Sequence, residues 1–196
     1  APTGLIAIEG DANVGLIWTA PAFDGGRAID YYVVYQDGVD IRHVTDVSVV
    51  IGGLVNGQEY SFTVSAHNLA GNGVPSAPAT AIPYTVPDAP TGIAAVAGNT
   101  NVTLNWTAPA FEGGRAIDFY YVYQDGVFVR QVSVATAFIE GLLNGQSYEF
   151  YVLAHNVAGS GSGSTAIAAI PYTVPGAPTG LSAVAGDGNV SLNWTA

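Results

Sequence analysis

Cysteine, methionine and lysine are all absent from this chain of 196 residues. Without cysteine there is no disulfide, thiol nucleophile or thiolate metal site. Without cysteine or lysine, disulfide and Lys–Asn isopeptide bonds are both excluded, so cohesion between copies must be non-covalent. With no methionine, no residue here is a translation start, and an excerpt of a longer array or a processed product is expected. Positive charge is nearly missing: Arg27, Arg42, Arg115 and Arg130 face fifteen carboxylates, for a net charge of −11. Binding to nucleic acid by phosphate neutralisation is thereby excluded. No apolar run is long enough to span a bilayer, so no membrane insertion is expected within this segment. Charged residues make up 10% of the chain, against about 25% in ordinary globular domains. Exposed sheet edges normally carry charges that prevent association, so glycans or neighbouring copies are expected to cover this surface.

What the chain does have is repetition. Trp18, Trp106 and Trp194 are spaced by 88 residues, and residues 1–88 align without a gap on 89–176. The two copies are about 60% identical, which marks a duplication of a domain-sized unit. Residues 177–196 repeat the first twenty positions once more, as "APTGLSAVAGDGNVSLNWTA". The expected organisation is one domain over 1–88, a second over 89–176, and the first two strands of a third over 177–196. Those two strands have no sandwich of their own to cover Val184, Leu192 and Trp194. The linkers "AIPYTVPDAP" and "AIPYTVPGAP" hold three prolines each and no Gly/Ser tract, so a short, semi-rigid connection is expected.

Within the repeat, apolar and polar residues alternate with a period of two. In "NVTLNWT", Val102, Leu104 and Trp106 take one face and Asn101, Thr103, Asn105 and Thr107 the other. In "IDFYYVY", Tyr120 and Val122 oppose Phe119, Tyr121 and Tyr123; in "SYEFYVLAHN", Tyr148, Phe150, Val152 and Ala154 point inward. The turns "PAFEGG", "QDG" and "LNGQ" separate these runs, and "GSGSGS" at 159–164 reads as a loop before the last strand. About seven short strands per repeat imply an all-β, two-sheet sandwich.

These motifs resemble the fibronectin type III family along the whole repeat. "APTGL" is similar to its opening strand, the Trp of "LIWTAP" and "LNWTAP" to its core tryptophan, and "GGRAIDYYVVY" and "GGRAIDFYYVY" to its third strand. "GLVNGQEYSFTVSAHN" and "GLLNGQSYEFYVLAHN" resemble its tyrosine corner and following strand. The resemblance implies tandem seven-strand immunoglobulin-like sandwiches, with Tyr60 and Tyr148 hydrogen-bonded back to upstream backbone. The family's Arg-Gly-Asp adhesion tripeptide is absent.

Chemistry is hard to place on such a chain. His67 and His155 are one feature copied twice, read as solvent-facing strand residues rather than metal ligands. Asp24 and Glu112, beside Arg27 and Arg115, read as members of loop ion pairs. There is no "GxSxG" elbow, no phosphate loop and no "DxDxDG" run. A non-enzymatic protein without cofactor or metal is expected. Two surface signals remain. Asn101, Asn105, Asn189 and Asn193 head N-x-[ST] sequons. Phe119, Tyr121, Tyr123, Tyr151 and Leu153 form an outward apolar set, with Tyr31 and Tyr35 their partial counterparts in the first repeat. Such a set reads as a packing interface, a platform for sugar rings, or β-propensity alone. The expected function is that of an extracellular or cell-surface structural array, a stiff rod that forms or decorates a fibre or sheath by self-association. The alternative is an adhesin stalk, or a carbohydrate-binding or spacer module of a secreted polysaccharide-degrading enzyme.

Overall fold

The computed structural model describes residues 1–195, and every regular element among them is a strand. The first repeat contains β1 (Thr3–Gly10), β2 (Asn13–Thr19), β3 (Tyr31–Gln36), β4 (Val39–Val44), β5 (Ser48–Gly52), β6 (Tyr60–Asn68), β7 (Gly71–Asn72) and β8 (Ala79–Ala81). The second contains β9 (Thr91–Ala97), β10 (Asn101–Thr107), β11 (Phe119–Gln124), β12 (Val127–Val132), β13 (Thr136–Glu140), β14 (Tyr148–Asn156), β15 (Gly159–Gly163) and β16 (Ile167–Ala169). A final pair, β17 (Thr179–Ala185) and β18 (Val190–Thr195), follows.

Each repeat is a sandwich of two antiparallel sheets. In the first, β1-β2-β5 faces β4-β3-β6, whose far edge is shared by β7 and β8; the second repeats this with β9-β10-β13 and β12-β11-β14 edged by β15 and β16. Period-two alternation aims one side of every strand between the sheets. Val14, Leu16, Trp18, Tyr32, Val34, Phe62 and Val64 fill the first core, and Val102, Leu104, Trp106, Tyr120, Val122, Phe150, Val152 and Ala154 the second. Trp18 meets Tyr32 edge-on at 5.5 Å between centroids, and Trp106 meets Tyr120 at 5.4 Å. Such T-shaped contact suits the ring quadrupoles and joins one sheet to the other.

Local chemistry sets the turns. Asp37-Gly38 and Asp125-Gly126 both have positive φ at the two central positions, as a type I′ hairpin requires. The aspartate then serves a second purpose, its Oδ1 accepting from the N–H of Ser61 or Glu149 on the neighbouring strand. The tyrosine corner forms in both repeats: Val55 N–H donates to the Tyr60 hydroxyl at 3.0 Å, and Leu143 N–H to that of Tyr148 at 2.9 Å.

"GSGSGS" is not a loop. Gly159–Gly163 pairs with β14 as β15, because ladder hydrogen bonds need backbone and no side chain. Ser164 Oγ then closes the edge, accepting from Val152 N–H and donating to the Thr165 carbonyl. Beyond the second repeat, β17 and β18 pair with each other and every one of their described residues is exposed, Leu192 and Trp194 included. Val184 follows Ile8 and Val96 in repeat order, both of which face outward, so it belongs to the solvent side and not to a missing core.

Tyr148→Phe removes the hydroxyl acceptor and leaves the Leu143 N–H without its partner. The second sandwich should lose about 1–3 kcal/mol, read as a lower denaturant midpoint with an unchanged m-value.

Candidate functional site: sheet faces and the joint between repeats

Two exposed apolar faces stand out in the sandwiches. On the outer face of β11, β12 and β14, cross-strand register sets Phe119 opposite His155, Tyr121 opposite Leu153 and Tyr123 opposite Tyr151. Phe119 stacks on the His155 ring at 4.3 Å and Tyr123 on Tyr151 at 4.9 Å. The structure thus brings together all five residues expected there. A sixth, Phe128, was not anticipated. A bulge in the β11–β12 ladder seats it opposite Tyr123, half-exposed and edge-on to both Tyr121 and Tyr123. Mutual stacking leaves each ring of the expected set only partly exposed.

The first repeat differs. Tyr31 is stacked between His43 at 4.9 Å and His67 at 4.2 Å, and Tyr35 is partly exposed, but Val33 and Ser65 between them are fully buried. Asp40 stands where the second repeat has Phe128. The stripe expected from Tyr31 and Tyr35 is therefore interrupted and polar-edged. His67 and His155, expected as solvent-facing, are instead three-quarters covered by these stacks, with Nδ1 3.5 and 3.7 Å from the carboxylates of Asp30 and Asp118.

The opposite sheet of the first repeat carries a face the sequence reading did not single out. Ile8, Gly15 and Val50 form one cross-strand row, and Ile6, Ile17 and Ser48 the next. Ile6, Ile8 and Val50 are 59%, 53% and 60% exposed. Gly15 at the centre leaves this aliphatic face flat.

Of the four sequon asparagines, Asn101 and Asn105 lie on β10 and Asn193 on β18, and Asn189 directly precedes β18. Asn105, Asn189 and Asn193 are exposed, whereas Asn101 is half-buried and its amide donates to the Asn99 carbonyl at 2.8 Å.

The most developed polar arrangement lies between the repeats. The linker is shared. Its first half is held by its own repeat, through Gly57 N–H to Pro83 C=O at 2.8 Å and Tyr84 N–H to Gly10 C=O at 3.1 Å. Its second half is held by the next repeat: Thr85 N–H donates to Gly113 C=O at 2.8 Å, and Asp88 N–H to Phe111 C=O at 3.0 Å. Asn156, fully buried at the end of β14, donates from Nδ2 to both Thr85 C=O and Glu112 C=O at 2.8 Å each, while its Oδ1 accepts from Ala158 N–H. Gly113 and Gly161 are required here by contact, since a Cβ on either would strike the Thr85 or Pro87 carbonyl.

One ion pair crosses the joint. Arg115 was expected beside Glu112, yet its Nη2 bonds Glu9 Oε2 of the first repeat, and its guanidinium lies 5.1 Å from the centre of the Tyr84 ring. Likewise Asp24 does not pair with Arg27 but accepts from Gly26 N–H. Glu9 also accepts from Ile82 N–H at 2.8 Å, and this bond, opposed by partial burial and aided by Arg115, holds its carboxyl below the ordinary value of 4.5. A carboxylate whose folded pKa is depressed stabilises the fold above its unfolded pKa, and that share is lost as pH falls through the folded value.

The family model described as "Fibronectin type III domain" matches residues 1–82 and 88–170. Exoglucanase B of Cellulomonas fimi is 31% identical over 213 aligned positions, covering 100% of this chain and 19% of that protein. Chitinase A1 of Niallia circulans is 31% identical over 180, covering 87% of this chain and 25% of that protein. The chain thus spans a quarter or less of the length of these two relatives. The crystal structure of titin domains A168–A170 superposes with a TM-score of 0.58 at 20% identity, covering 86% of this chain and 62% of that one, and shows the shared fold.

Two outcomes follow for the joint. Gly161→Ala should leave both sandwiches melting as before but release the second repeat from Pro87, seen as a broadened range of interdomain distances in solution scattering. Acidification through the depressed pKa of Glu9 should weaken the Arg115 bridge before the cores unfold, seen as a loss of common alignment of the two repeats in residual dipolar couplings.

Proposed function

The chain belongs to the fibronectin type III family, and from that premise we propose that it is a non-enzymatic, extracellular structural array whose copies pack side by side into a surface fibre or sheath. The observation that carries this reading is the pairing of a pinned joint with charge-poor, apolar sheet faces. Spacing between beads is fixed by Asn156, Arg115 and the glycines Gly113 and Gly161, so the face of one repeat is held at a constant distance from that of the next. Contiguous apolar patches on a soluble surface mark contact sites, and here Ile6, Ile8, Ile17 and Val50 supply one and the Phe119–Phe128–Tyr151 cluster another. With charged residues at only 10% of the chain and no lysine, the sheet edges carry little of the protection that normally prevents association. The exposed Asn105, Asn189 and Asn193 are better placed to carry an N-glycan than the half-buried Asn101.

A second reading has its own support. Exoglucanase B contains a segment similar to the whole of this chain and chitinase A1 one similar to 87% of it, which suits a rigid spacer within a longer polysaccharide-degrading protein. In that case the faces carry no lateral contact.

Electron microscopy and light scattering of the chain separate the two. Lateral packing predicts bundles at moderate concentration that disperse on Ile8→Glu with Val50→Glu, or on Tyr121→Ser. Single rods insensitive to these changes favour the spacer.

A further inference from the structure

The two sandwiches share a core but not the outer face of their three-stranded sheet. In the second repeat that face runs in cross-strand rows: Asn101 beside Glu140, then Val96–Thr103–Phe138, then Ala94–Asn105–Thr136. The same rows in the first repeat are Asn13 beside Gly52, Ile8–Gly15–Val50, and Ile6–Ile17–Ser48. Three exchanges set them apart. The first repeat has glycine in place of Thr103, isoleucine in place of Asn105 and glycine in place of Glu140. A carboxylate and two polar side chains are thereby missing from its face.

Gly15 is the informative position. It lies in the middle of β2, the central strand of its sheet, where glycine weakens a strand and offers no side chain to pack. Its φ is not positive, so the backbone does not call for glycine. A Cβ built there would meet Ile8 at 3.8 Å, ordinary van der Waals contact, so the repeat itself leaves room for one. Gly52 is alike, with no positive φ and nothing within 4 Å of a Cβ. Neither conformation nor packing inside the first repeat accounts for these two glycines. Close approach of another surface does.

We propose that this face pairs with the same face of a second copy of this chain, across a two-fold axis near Gly15. The gap over Gly15, between Ile8 and Val50, receives an aliphatic side chain of the opposite copy. Charge argues for the second copy as the occupant. Each chain carries −11, and a two-fold contact lays one surface on itself, so any carboxylate within it would be buried against an equally acidic copy. The first repeat's face holds none. Asp11 and Asp46, the carboxylates nearest in sequence, lie in the turns before β2 and β5. The aromatic face of the second repeat, by contrast, fills its own gaps, with its rings stacked on one another.

Size sets the strength. Ile6, Ile8, Ile17 and Val50 are between 47% and 60% exposed, and four such side chains cover far less than the roughly 800 Å² per partner of a standard interface. The pairing is therefore weak and reversible. It closes on itself, so it joins two chains and stops; growth into a sheath needs a further contact, which the aromatic face supplies. The pairing deepens the lateral-packing reading and rests on it for the use of sheet faces as contact surfaces.

The test is sedimentation equilibrium of the whole chain at rising concentration, with electron microscopy of the same samples. A reversible dimer is expected, and added salt should strengthen it by screening repulsion between the acidic chains. Gly15→Thr installs the residue with which the second repeat already folds. It should weaken the dimer at least tenfold without lowering the melting temperature, and Ile17→Asn should act in the same direction. The reverse exchange in the second repeat, Thr103→Gly with Asn105→Ile and Glu140→Gly, should add a second pairing face and tighten association. A chain that stays monomeric at millimolar concentration would overturn the proposal, as would a dimer that Gly15→Thr leaves intact. Bundles that persist in Gly15→Thr overturn this pairing while keeping side-by-side packing. Dimers that never form bundles, and that Gly15→Thr dissociates, uphold the pairing and reject the sheath.

Discussion

A linker rich in proline offers few N–H groups but a full set of carbonyls, and those carbonyls become costly when two domains close over them. The fully buried amide of Asn156 answers this constraint. It spends one hydrogen on its own repeat at Glu112 and the other on the linker at Thr85, so the second sandwich and the linker share a single rigid donor. An unsatisfied buried carbonyl costs on the order of 1–3 kcal/mol, and the Asn156 bond removes that penalty from the closed joint. Stiffness of the array therefore rests on hydrogen-bond satisfaction more than on proline stereochemistry alone.

Around this point the other contacts fall into place. Gly113 and Gly161 permit the linker backbone to approach, and Gly114 comes up against the Asn56–Gly57 turn of the first repeat. Arg115 then spans repeat, linker and neighbour, with Glu9 on one side and the Tyr84 ring on the other. A partly exposed ion pair is weak by itself, but here it is oriented by backbone contacts that already fix the distance. The sandwiches behave as beads whose cores are duplicated almost without change, while their outer faces have diverged. Val33 and Ser65 are buried where Tyr121 and Leu153 are partly exposed, and Asp40 has its counterpart in Phe128. Selection on the core concerns packing, which tolerates little change; the faces are free to specialise for what they touch.

Much of this could be read from residue order alone. Period-two alternation assigned core and solvent sides for β10, β11 and β14, because in a strand the side of a residue is decided by parity. The Asp-Gly hairpins and both tyrosine corners are likewise local, set by residues within a few positions of each other. The aromatic set Phe119, Tyr121, Tyr123, Tyr151 and Leu153 followed from the same parity.

What order could not give was whatever depends on two distant segments meeting. Phe128 joins the aromatic cluster only because a bulge shifts its register, and Gly159–Gly163 becomes a strand only because β14 offers it a ladder. Arg115 has a carboxylate at Glu112 in its own loop, yet its partner is Glu9, 106 residues away. Proximity along the chain favours the first pairing; the docked linker imposes the second. The sequence by itself determined the sandwiches, since their cores follow from local alternation and turn chemistry. The joint and the faces were decided only in three dimensions, where backbone groups from separate repeats must satisfy one another.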